Sequence, residues 1–273
     1  MYDYIYLEDI LNKYVLNILF MLMASTPLFS QSILKMEYQD IVRPFLDAVI
    51  NNDKEAIIDL IHYPLRRHYP IPYINNRLEM NERYDTIFDE TLLSIIKNSL
   101  IETDWSGVGW RGIMLGNGIV WIDYSGKIIA INYQSPYEIV LRNNIILELK
   151  NNLHESLVNF IQPILSCETE NYKIRIDLLN SSGNYRLALW SKERKQSDIP
   201  DMVLLNGVRI FDGSGGNHVF VFNGESQYIV FLDILTAFEY HHFSIYNNVN
   251  NSWIENIERH HPLIKERIIN IEM

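Results

Sequence analysis

Near Ile101 the apolar residues of this 273-residue chain change their period. Upstream they recur every three or four positions; downstream they fall into short alternating runs separated by glycine-rich turns. A helix buries a stripe of period 3.6 and a half-buried strand a face of period 2, so the switch predicts helices followed by antiparallel strands. That order is an α+β fold, with the helices covering one face of a curved sheet.

Upstream, Ile41, Phe45, Ala48 and Val49 mark a first helix, with Pro44 expected in its first turn. Asn51-Asn52-Asp53 breaks the chain and caps a second helix carrying Ala56, Ile57, Leu60 and Ile61, which stops before Pro64. The prolines from Pro64 to Pro72 predict an extended segment. Asn76 with Glu79 forms a capping box for a third helix bearing Leu78, Tyr84, Ile87 and Phe88. Downstream, runs beginning at Ile101, Gly109, Gly118 and Lys127 predict a meander that turns at Gly116-Asn117-Gly118 and Ser125-Gly126. In it, Trp110 and Trp121 are expected as a cross-strand pair, with Arg111 on the other side of the pleat.

A second unit follows. Ile146, Leu149, Leu153, Leu157 and Phe160 predict a connecting helix across residues 143–163 that ends before Pro163. Residues 164–235 read as a small all-β domain with turn signals at Asn180–Gly183, Asn206-Gly207 and Asn223-Gly224. Residues 236–273 form a tail, partly helical, in which Trp253, Ile257 and Ile264 line a short amphipathic stretch.

The apolar run Val15–Ala24 is too short to cross a bilayer and has the length of a signal h-region, flanked by Lys13 and broken by Pro27. Residues 1–30 are therefore expected to be a signal peptide cut after Ser30, leaving a soluble periplasmic or secreted product. Asp3, Glu8 and Asp9 stand where such a peptide is basic, so residues 1–10 are expected not to be translated, with synthesis starting at Leu11. The alternative for the same segment is a buried first helix of a cytoplasmic protein.

The net charge of −11 argues against phosphate-backbone binding, so nucleic acid is not expected as a partner, nor a membrane once the signal is removed. Asp212–Gly216 is followed by a strand-like run rather than a helix, which makes it a turn and not a phosphate loop. His241-His242 and His260-His261 have no CxxC or HExxH beside them, so no metal and no other cofactor is expected. Cys167 is the lone cysteine, which excludes an intramolecular disulfide.

The order of elements, with FLDAVINNDKEAIIDLIHYPL at 45–65 and GWRGIMLGNGIVWID followed by GKIIAIN at 109–132, resembles the nuclear transport factor two-like, or SnoaL-like, superfamily. The resemblance implies a cone-shaped α+β domain over residues 31–142, with a pocket between sheet and helices in which some members use an Asp and His pair. CETENYKIRID, NYRLALWS and FDGSGGNHVFVFNG resemble the C-terminal β modules of periplasmic proteins and, more faintly, small β-barrel lysozyme inhibitors.

In such a pocket His62, Asp104 and Asp123 are the candidate acid and base groups, because a carboxylate beside an imidazole in an apolar cleft can titrate near neutral pH. Their structural alternative is capping at turns and helix ends. Trp105, Trp110, Arg111, Trp121 and Tyr133 are the candidate ligand-binding residues, with core packing as their alternative. The resulting reading is a non-enzymatic periplasmic or secreted binding protein for a small apolar ligand or a protein. The alternatives are a SnoaL-like enzyme acting on a small apolar molecule, and an inhibitor or immunity-type protein against a basic partner. Mass spectrometry of the precursor is expected to find an N-terminal peptide that starts at position 11, with the initiator methionine in place of Leu11, and any peptide from residues 1–10 would refute that start.

Overall fold

A computed structural model describes residues 34–179, 181, 183–211, 217–223, 227–233, 243–247 and 252–257. Helix α1 (Met36–Ile50) buries Val42, Phe45, Ala48 and Val49 on one stripe. Pro44 lies inside α1 and not in its first turn. The carbonyl it leaves unbonded is that of exposed Asp40, so the packed stripe outweighs a loss on the solvent side. Asp53 then caps α2 (Lys54–Asp59), accepting from the Ala56 N–H at 3.0 Å.

The Asn76 half of the expected capping box is formed, while its return bond falls one residue earlier. Asn76 Oδ1 accepts from the Glu79 N–H at 3.0 Å and starts α3 (Arg77–Ile87), while Glu79 reaches back to the Asn75 N–H at 2.9 Å. Met80, Tyr84 and Ile87 face inward, but Leu78 is exposed. A further helix, α4 (Glu90–Lys97), is capped by Asp89 and has no counterpart in the sequence reading, since eight residues are too few to display a helical period clearly.

Ile101–Asp104 is a turn rather than the first part of a strand. Strands β1 (Trp105–Gly107), β2 (Ile113–Leu115), β3 (Val120–Ile122) and β4 (Ile128–Ile131) form the antiparallel meander in the order β1-β2-β3-β4. Gly109 and Gly112 adopt φ of +50° and +99°, which winds Gly109–Arg111 into a 3-10 turn. Trp110 is consequently outside the strands, and Trp121 pairs with Met114 and Ala130 instead. The Arg111 guanidinium sits over the Trp110 ring at 5.7 Å, so the two side chains meet rather than diverge across a pleat. Trp105, Ile113, Leu115, Val120, Ile122 and Ile128 face inward and share one core with α1 to α4.

The connecting helix, α5 (Pro136–Asn151), begins and ends earlier than expected. Its start is fixed by Ser135, whose hydroxyl oxygen accepts from the Glu138 N–H at 3.2 Å, and by Pro136 in the first turn. Leu153, Leu157 and Phe160 lie beyond it, around a 3-10 turn at Glu155–Leu157, where they pack with Ile146 against Ala188 and Trp190. Pro163, expected to follow a helix, is inside a strand and pairs with Asp177.

The second sheet is an eight-stranded antiparallel meander of β5 (Gln162–Glu168), β6 (Tyr172–Leu178), β7 (Tyr185–Ser191), β8 (Met202–Phe211), β9 (Asn217–Asn223), β10 (Gln227–Asp233), β11 (Phe243–Asn247) and β12 (Ser252–Ile257). Asn206-Gly207 is not a hairpin but lies within β8, where Asn206 takes φ of +57° and the register against β7 shifts by a bulge. Gly207 is required there because a Cβ would stand 2.2 Å from the Phe222 ring. Trp253 and Ile257, read as helical, belong to β12, paired with β11. His241-His242, His260-His261, Ile264 and the turn at 212–216 lie outside the described residues.

A buried ion pair ties the first sheet to α5. Arg67 Nε donates to Glu138 Oε1 at 2.7 Å, Nη2 bonds Glu138 Oε2, Nη1 reaches the Ile131 carbonyl at 2.6 Å and Nη2 the Tyr133 carbonyl at 2.8 Å. Burial weakens the hold of neighbouring Arg83 on its proton, and the nearby Glu138 charge only partly offsets this. Removing one member leaves the other charged and enclosed. Glu138→Ala is expected to lower unfolding stability by about 3–5 kcal/mol in urea titrations, whereas replacing Arg67 and Glu138 together by apolar residues of similar volume is expected to cost much less.

Candidate functional site

The three acid and base candidates divide between two places. His62 follows Ile61, which bridges in parallel to Ile128, and its backbone N–H donates to the Ile128 carbonyl at 2.9 Å. Asp123 follows β3 and opens the turn into β4, its N–H donating to the Lys127 carbonyl at 2.9 Å. Its Oδ1 accepts from the Ser125 N–H at 2.8 Å, the Ser125 hydroxyl at 2.6 Å and the Lys127 N–H at 3.0 Å. Partial burial works against the Asp123 charge, but the bonds from Ser125 and Lys127, helped by the field of His62, hold its carboxyl below the usual range. Lys127 Nζ and Arg77 Nε extend this edge, reaching the Asp59 carbonyl at 2.7 Å and its carboxylate at 2.8 Å.

Asp104 is elsewhere. It precedes β1, at the opposite side of the meander from β4, about three strand spacings or roughly 14 Å away. There its Oδ2 accepts from the Leu100 N–H at 2.7 Å and closes the turn before β1. His62 and Asp123 therefore share one edge of the sheet without Asp104, and Asp123 Oδ1 is engaged by its own turn.

The ligand-binding candidates are similarly dispersed. Trp105 is wholly buried, donates its indole N–H to Ser99 Oγ at 3.0 Å and meets Phe45 edge-on, so it is part of the core. Trp121 is half-buried on the outer face of the meander, against the Gly118 turn, where a Cβ would stand 2.9 Å from its indole nitrogen. Tyr133 donates its hydroxyl to Asp89 Oδ2 at 2.8 Å, and burial followed by that carboxylate pushes its phenol above the usual value. Trp110 is 71% exposed. Around it lie Arg111, stacked on its ring, and Tyr124, whose hydroxyl donates to the Gly109 carbonyl and whose ring is 5.3 Å from that of Tyr38.

Tyr38 and Tyr124 escaped sequence reasoning because they come together from α1 and the β3–β4 turn, far apart in the chain. Gly109 and Gly112 flanking Trp110 were the available signal that it leaves the sheet.

Compared with protein-family models, curated proteins and solved structures, the chain matches none.

A second surface is larger and was not anticipated. Val203, Leu205, Val208 and Ile210 are exposed by 40%, 51%, 53% and 49%. The residues between them turn to the other side, where Met202 and Leu204 pack on the core of Leu165, Ile174, Ile176, Leu187 and Phe220. The bulge at Asn206 keeps Val208 and Ile210 on the same face as Val203 and Leu205 across the register shift. Because β8 is apolar at nearly every position, its sequence conceals which side is solvent.

Among the described residues no group of three or more His, Cys, Asp or Glu side chains is placed to hold a metal ion, and no helix is long and apolar enough to cross a membrane.

The lowered Asp123 carboxyl fixes the sign of a pH effect. Its contribution to stability is full above the unfolded value of about 4 and is lost as pH falls through the lower folded value. The stability gap between the parent chain and Asp123→Ala is thus expected at pH 7 and should close as pH drops below about 4 in parallel denaturation curves.

Proposed function

We propose that this protein is a non-enzymatic interaction protein, acting in the periplasm or outside the cell, whose second sheet docks a protein partner. The observation that carries the reading is the aliphatic stripe of β8. Single exposed aliphatic residues are ordinary on protein surfaces, but four on one strand face make a contiguous apolar strip of the kind found at interfaces. The charge of −11 favours a partner with a basic rim around an apolar centre, which is the chemistry of the inhibitor or immunity-type reading.

Export is supported by the apolar run Val15–Ala24, and the SnoaL-like reading of residues 31–142 by the order of four helices before a four-stranded antiparallel sheet. A second reading, an enzyme of that superfamily acting on a small apolar molecule, is favoured by the proximity of His62 and Asp123. Against it, Asp104 stands apart and Trp105 fills the core rather than a pocket.

The test is photocrosslinking from position 203, on the same strip, in the producing cells, set beside Leu205→Asp and Val208→Asp variants. The adduct is expected to disappear with either charge while the melting temperature is kept, and partner recovery should weaken as salt rises. Unchanged recovery by both folded variants would sink the proposal.

A further inference from the structure

The side of β6 and β7 that is covered by α5 and the segment after it carries three charged groups. Arg175, Asp177 and Arg186 have relative exposures of 0%, 0% and 4%. Asp177 pairs directly across the strands with Arg186, and Arg175 is two residues before it on the same face. Asp177 Oδ2 accepts from Arg175 Nε at 3.0 Å and from Arg186 Nη2 at 2.7 Å, and Arg186 Nη2 also donates to the Leu157 carbonyl at 2.6 Å. Arg175 Nη2 stands 2.8 Å from Asp177 Oδ1 without the alignment of a hydrogen bond.

Two donors remain. Arg175 Nη1 and Arg186 Nε are buried and meet no acceptor from the protein. Two guanidiniums against one carboxylate also leave one positive charge in excess, and a guanidinium does not shed its proton to relieve it. Both deficits call for the same remedy, because the N–H groups need lone pairs and the excess charge needs an anion. Water supplies only the first. The Phe160 ring, 4.8 Å from the Arg175 guanidinium, offsets part of the charge but presents no lone pair in the plane of Nη1.

We infer that Arg175 and Arg186 bind one small monovalent anion of chloride size beneath the Leu157–Phe160 segment. The cluster is enclosed, so its ligand enters by local opening, which selects against a phosphate ester or a carboxylate on a larger molecule. A monovalent charge is the one that brings the cluster to neutrality.

Melting of the full-length protein at constant ionic strength, with chloride exchanged for methanesulfonate, tests this. The midpoint is expected to rise by on the order of 5 °C as chloride goes from trace to about a hundred times its dissociation constant. Crystals grown in bromide should show an anomalous peak within hydrogen-bonding reach of Arg175 Nη1 and Arg186 Nε. Arg186→Met, if folded by circular dichroism, should lose the chloride response; if it does not fold, the titration and the bromide crystals of the parent protein decide. A flat chloride titration, a bromide peak absent from the cluster, or a folded Arg186→Met that keeps the full response would each overturn the inference.

Discussion

The first half of the molecule depends on one buried guanidinium. Arg67 comes from the proline-rich segment between α2 and α3, yet its donors reach the end of β4, the Tyr133 carbonyl and the first turn of α5. A single planar group thereby fixes three chain segments that share no regular secondary structure. Glu138 accepts that charge in the first turn of a helix, where the orientation of the peptide dipoles favours a carboxylate. Without the ion pair, the Ile131 and Tyr133 carbonyls would be left without their donor at the place where the chain leaves the meander for α5.

From that anchor α5 passes to a different core. Its N-terminal turn is bound to the first sheet through Arg67, while Ile146 near its other end packs with Leu153, Leu157 and Phe160 on Ala188 and Trp190 of β7. The cover reaches β5 to β7 and gives out at β8, where Val203, Leu205, Val208 and Ile210 stay exposed. The same sheet face thus holds an enclosed ionic cluster under the segment after α5 and an open aliphatic strip beside it. The bulge at Asn206 joins the two, because it lets β8 continue past Arg186 without turning its aliphatic residues inward.

Local signals were read well where the cause was local. The caps by Asp53 and Asn76 and the turns of the meander follow from hydrogen bonds made within a few residues. Readings failed where packing overrode them. Pro44 sits in mid-helix because the stripe around it is buried, and Asn206-Gly207 yields to the Phe222 ring. Of the site candidates, the types of His62 and Asp123 were visible, but their nearness depends on the bridge of Ile61 to Ile128, across a long stretch of chain. Asp104 offered the same chemistry and landed at the other side of the sheet.

The sequence by itself determined the α+β class, because the change of apolar period near Ile101 dictates which backbone hydrogen bonds can coexist with a buried face. It also determined the acidic surface and the exclusion of an internal disulfide, which are sums over composition. Tertiary structure alone decided which apolar residues are left outside, which charges are enclosed, and that Trp105 is core while Trp110 is surface. Burial is a property of the space between elements. No residue carries it, and it is fixed only when α5 and the two sheets are in place.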